Sequence, residues 1–168
     1  MVLILRLVHI ISGVFWVGSV LFATVMLMPS IRAVGPSGAA IMSELVRRRM
    51  PLIMMGSAIL TIGAGIWLMM ILSGGAPGVW MQSSTGRAFG IGGGLAILAL
   101  VLGMAVNAPT AGRMSAIGAT AAKRGGPPTA DEVAELQRLQ SRMANASIVV
   151  ALLLLVATGV MAVARYLP

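Results

Sequence analysis

Four long apolar runs set the pattern of this chain. They cover about residues 2–28, 51–72, 89–106 and 146–163. Each is close to the ~20 residues that a helix needs to cross a bilayer core. Arg6 and His9 alone interrupt the first run, near its start, and the third is glycine-rich where it begins. A basic link, 29–50, joins runs one and two. A longer one, 107–145, joins runs three and four, and the link between runs two and three is short. The plan is helix, basic link, helix, short link, and the same again. It predicts an all-α integral membrane four-helix bundle, a single four-span domain over residues 1–168.

The two long links are expected to carry helices of their own. Pro36 and Ser37 precede Ala39–Val46, which reads as a short amphipathic helix ending in Arg47-Arg48-Arg49, with Pro51 opening the next run. In the second link the small-residue segment Ala111–Lys123 is predicted to lie along the membrane surface, and Gly125-Gly126-Pro127-Pro128 ends it. Thr129, with Glu132 three residues on, forms a capping-box signature, and Asp131 and Glu132 suit the positive end of a helix. Val133, Leu136, Leu139 and Met143 then fall on one face, so this helix should run straight into the fourth span.

Composition narrows the class. Hydrophobic residues make up 58% of the chain and charged residues 10%, against about 25% charged in soluble domains. A soluble enzyme is excluded, because so few charges cannot cover a water-facing surface. A net charge of +8 elsewhere points to nucleic acid. Here the charges sit between apolar runs, so no nucleic-acid partner is expected and the charge reads as orientation. The two long links hold nine Lys and Arg, and the rest of the chain holds Arg6, Arg87 and Arg165. The positive-inside rule places the long links in the cytoplasm and both termini outside. Arg47, Arg48 and Arg49 are expected at anionic headgroups of the bilayer.

The candidate chemistry is sparse. With no cysteine and one histidine, the chain has no disulfide, no thiolate metal site and no bis-histidine haem within one copy. No acidic residue lies inside any run, which leaves no carboxylate for a di-iron site or proton relay. His9 is therefore the leading candidate, because an ionisable residue inside a span is costly and neutral imidazole ligates haem iron or copper. Arg6, three residues earlier, and Gly13, four later, share its helix face. Arg6 suits a haem propionate, Gly13 leaves room for a flat macrocycle, and Trp16 lies further along the same face. The alternative for His9 is a bond to water or to a neighbouring helix. Of the 14 methionines, Met69, Met70, Met81 and Met161 fall on the predicted outer half, where a thioether can complete a haem or copper site, Met69, Met70 and Met161 being the candidates. Most of the others read as packing. Gly92, Ala96, Ala99 and Gly103 form one small-residue face suited to close helix packing.

The first run reads His9-Ile-Ile-Ser-Gly-Val-Phe-Trp16-Val-Gly18. It resembles the opening helix of a loose group of small bacterial four-helix membrane proteins, which includes CopD-type copper-resistance domains and HemJ-type protoporphyrinogen oxidases. Pro29 fits the same pattern, and the likeness is closest over roughly the first 30 residues. The resemblance implies a bacterial inner (cytoplasmic) membrane protein whose His9 ligates haem b, or else copper, in an electron-transfer or porphyrin-related redox role. The HemJ-type pattern also carries a lysine in a later span. Lys123, in a link, is the only lysine here, which departs from that pattern and weakens the oxidase expectation. A single His9 leaves room for a homodimer in which two chains each supply one imidazole. The competing expectation is a cofactor-free accessory subunit of a larger membrane complex.

Overall fold

The computed structural model describes residues 1–35 and 38–167. Among them every regular element is helical. α1 (Val2–Phe22) passes through a π-helical turn (Ala23–Leu27) into α2 (Met28–Ala33). α3 (Gly38–Arg47) follows, and then α4 (Met50–Leu72). A one-turn helix, α5 (Pro77–Trp80), leads to α6 (Ser84–Leu102), a second π-turn (Gly103–Asn107) and α7 (Ala108–Arg124). α8 (Ala130–Val163) and a 3₁₀ turn (Ala164–Tyr166) complete the chain. Four helical stretches are long and apolar enough to span a membrane: Val2–Ala33, Met50–Leu72, Ser84–Arg124 and Ala130–Tyr166.

α1 packs chiefly on α4 and α6 chiefly on α8, so the molecule is two helical hairpins side by side. The hairpins follow one plan. Each opens with a long helix, a π-turn and a proline, with Pro109 spaced from the second π-turn as Pro29 is from the first. The return helices also match. α4 buries Ser57, Ala58, Thr61 and Ala64, and α8 buries Val150, Ala151, Leu154 and Ala157, at identical spacing. The repeat expected from hydropathy is thus present in packing as well. The hairpins meet in a small core of Trp16 and Val20 from α1, Ala58 from α4, Ala99 from α6, and Val150, Ala151 and Leu154 from α8. Alanine dominates these contacts and lets the backbones approach closely. The larger apolar side chains, among them Ile10, Val14, Ile59, Ile66, Ile91, Leu152 and Val156, point outward and are exposed.

The link helices depart in part from expectation. α7 continues α6 through the π-turn, so Ala111–Lys123 extends the third long helix as one rod. Pro109 does not end the rod, because it sits directly after the π-turn in the first turn of α7, and the helix stops only at Gly125. Gly125, at φ 72°, then caps α7 in the left-handed conformation that glycine tolerates. α3 forms where a helix was expected, although Pro36 and Ser37 lie outside the described residues. Arg49 takes a left-handed conformation (φ 57°) at the corner into α4, and Pro51 opens that helix as expected.

The capping box at α8 is present. Thr129 Oγ1 accepts from the Glu132 N–H at 3.3 Å, and Glu132 Oε2 accepts from the Thr129 N–H at 2.7 Å. Arg124 at the end of α7 donates to both Glu132 oxygens, at 3.1 and 2.6 Å. The Arg124 guanidinium and the Thr129 N–H hold the Glu132 carboxyl down to about 2 from an ordinary 4.5. A depressed carboxyl stabilises the fold above its unfolded pKa and loses that contribution as pH falls towards the folded value. Glu132→Gln should therefore lower thermal stability at pH 7. Its deficit should close between about pH 4.5 and pH 2, as followed by circular dichroism melts; a deficit that persisted unchanged at pH 2 would contradict the assignment.

From Thr129, α8 runs unbroken for 34 residues, as the sequence predicted. At 1.5 Å per residue it is about 51 Å long, well beyond the ~30 Å of a hydrocarbon core.

Candidate functional site

His9 faces α4, two turns above the core. Its Nδ1 lies 2.7 Å from the backbone oxygen of Thr61. A carbonyl only accepts, so Nδ1 carries the proton and donates. Neutral imidazole then keeps its lone pair on Nε2. Nε2 has no partner among the described residues and is not enclosed, since the one buried side-chain polar atom left without a partner among them is Asn107 Oδ1.

α4 is shaped to receive this ring. A Cβ on Gly65 would stand 2.9 Å from His9 Cε1 and 3.0 Å from Nδ1, closer than side chains pack. Only glycine leaves the imidazole its place. One turn away Thr61 is buried, and its hydroxyl lies 2.7 Å from the Ser57 carbonyl and 2.9 Å from Ser12 Oγ. Ser12 in turn donates to the Val8 carbonyl at 2.5 Å. A polar seam of His9, Ser12, Ser57 and Thr61 therefore joins α1 to α4 inside otherwise apolar helices.

The other expected residues are dispersed. Arg6 is exposed one turn outward of His9 and makes no hydrogen bond among the described residues. The space beside Gly13 belongs to Thr61, whose Cγ2 lies 3.4 Å from where a Cβ would stand. Trp16, 5% exposed, is part of the core. Met69 is partly buried on α4, one turn beyond Gly65, and Met70 beside it is exposed. Met161 belongs to the other hairpin, where its Cγ lies 2.7 Å from the Cβ position of Gly92. No group of three His, Asp or Glu side chains gathers among the described residues.

Thr61 and Gly65 were not singled out by sequence. A signal existed for the first, because Ser57 and Thr61 are the only hydroxyl residues in the second run and lie one turn apart. None existed for Gly65, one of many glycines. At the far end, Arg47 and Arg48 both donate to Glu44, at 2.7 and 2.6 Å, and these guanidinia, Arg47 foremost, hold its carboxyl below the usual range. Compared with family models, with curated proteins and with solved structures, the chain matches none.

Proposed function

We propose that this chain is a multi-pass protein of the bacterial inner membrane in which His9 would hold haem b near the outer face. The membrane reading rests on four helices of spanning length and on large apolar side chains that face away from a core of small residues. Water cannot favourably cover so much outward apolar surface, and lipid can. Nine positive charges on the two long links orient those links to the cytoplasm and both termini outward. Arg49, with Arg47 and Arg48 partly neutralised by Glu44, meets anionic headgroups there.

The observation that carries the ligand reading is the bond from His9 Nδ1–H to the Thr61 carbonyl. Ligating histidines characteristically donate their second nitrogen to a carbonyl or carboxylate, which fixes the tautomer and aims the other nitrogen. The residues present fit a group held through His9 Nε2. Gly65 gives the ring its place, Nε2 is left open, and Arg6 is free one turn outward for a propionate. Haem, when bound, supplies one-electron chemistry at its iron. Copper is the alternative metal, and a homodimer would bring two copies of His9 to one site. A second reading, a cofactor-free subunit of a larger complex, is favoured by one fact: the same bond already gives the imidazole a partner and clamps α1 to α4.

Absorption spectra of protein purified in mild detergent, oxidised and dithionite-reduced, decide between these. A Soret band that disappears in His9→Ala is expected. A featureless spectrum in protein that also lacks copper would leave the subunit reading.

A further inference from the structure

A second polar site lies at the opposite end of the bundle, between α7 and α8. Pro109, Thr110, Arg113, Leu139 and Arg142 line a concavity of about 140 Å³. Thr110 and Leu139 are buried and make its floor. Thr110 directs its hydroxyl proton to the Val106 carbonyl at 2.5 Å, so its oxygen adds no free donor. Arg113 from α7 and Arg142 from α8 make the walls, and neither forms an ion pair or hydrogen bond among the described residues. The chain has four carboxylates. Glu44 is engaged by Arg47 and Arg48, and Glu132 by Arg124. Asp131 and Glu135 lie on α8 with no salt bridge to either wall. Arg32, from the first hairpin, donates to the Gln140 carbonyl of α8 at 3.2 Å.

Arg113 and Arg142, both exposed, border one concavity, and an anion held between them would offset their like charge. Planar forks of this kind match the oxygens of a phosphate group. We propose that the Arg113–Arg142 concavity binds a phosphate group, either the phosphodiester of an anionic phospholipid or free phosphate from the cytoplasm. The site is independent of His9 and of any haem. Its lipid form rests on the membrane reading, because Pro109 follows the third apolar run, 89–106, near its cytoplasmic end on that reading, where basic clefts between helices take acidic headgroups. Its free-phosphate form does not rest on that reading.

The test uses delipidated full-length protein in detergent, with dioleoyl phosphatidylglycerol, dioleoyl phosphatidylcholine and inorganic phosphate as separate probes. Native mass spectrometry reads lipid adducts and calorimetry reads phosphate. The expected result is that phosphatidylglycerol binds more tightly than phosphatidylcholine, whose choline meets the same two cations. Arg113→Gln and Arg142→Gln should each weaken binding roughly tenfold, in line with a lost charge-assisted hydrogen bond. Arg142→Lys should recover part of the loss, and Lys123→Gln should have no effect. Binding of phosphatidylglycerol that millimolar phosphate does not displace assigns the site to lipid, and phosphate binding that depends on both arginines assigns it to the free ion. If the double variant, with helix content unchanged, binds every probe as the parent does, the proposal is overturned.

Discussion

If His9 holds haem as proposed, Gly65→Ala is expected to weaken haem binding by about 10- to 100-fold, the usual effect of disturbing the partner that orients a ligating histidine. The added methyl would stand 2.9 Å from His9 Cε1 and 3.0 Å from Nδ1. α4 cannot yield there, because Ala64 and Leu68, flanking the glycine, are already buried. The imidazole must rotate, and rotation breaks the 2.7 Å bond to the Thr61 carbonyl. Nε2 then loses both its aim and its fixed tautomer. Gly63→Ala is the matched control, since a Cβ there meets nothing within 4 Å, and alanine is the better helix former. Haemin titrations followed in the Soret region compare the two. Equal affinity in Gly65→Ala and Gly63→Ala would show that the Thr61 bond does not serve ligation.

The second large effect is on stability. Leu154 is 1% exposed and is the largest fully buried side chain among the described residues. In soluble proteins a buried Leu→Ala change costs about 2–5 kcal/mol, part of it transfer of the side chain out of water and part the cavity left behind. On the membrane reading, separated helices still lie in hydrocarbon, so the transfer part largely cancels and the lost contacts remain. Leu154→Ala should therefore cost about 2 kcal/mol, at the low end of the soluble range. Leu155→Ala should change stability by less than about 0.5 kcal/mol, as expected of a site away from packed contacts, because Leu155 is 47% exposed and faces outward. Unfolding in mixed micelles with rising dodecyl sulfate measures both. Equal losses would mean that the outward face is packed against something other than lipid.

Much of the architecture was legible in the sequence. Runs of apolar residues mark the four long helices, and Thr129 with Glu132 marks the start of α8, because both signals are local. The π-turns were not legible. Gly103–Asn107 and Ala23–Leu27 carry no residue that demands five-residue hydrogen bonding, and the extra residue shows only in the backbone. At the candidate site, His9 was visible as the one titratable imidazole. Its partner was not, because a backbone carbonyl leaves no mark in a sequence. Spacing places Arg6, Gly13 and Trp16 near one another along α1. It could not tell which neighbour each residue meets: Gly13 faces Thr61 and Trp16 lies in the core. Arg113 and Arg142 lie on the consecutive helices α7 and α8, and only the turn between these brings both to one concavity.

The two π-turns make each hairpin tolerant at one point and intolerant elsewhere. A π-turn holds about one residue more than an α-turn for the same advance of the helix, so it absorbs an insertion without changing which way the flanking faces point. Removing one residue from Ala23–Leu27 or Gly103–Asn107 would restore ordinary α-helix and leave both neighbours aimed as they are. Removing one from the middle of α1 or α6 would turn everything on one side of the cut by about 100°, the angle each residue occupies in an α-helix. His9 and Trp16 could then no longer both face α4 and the core. The π-turns thus act as phase joints between the spanning helices and the basic ends that follow them.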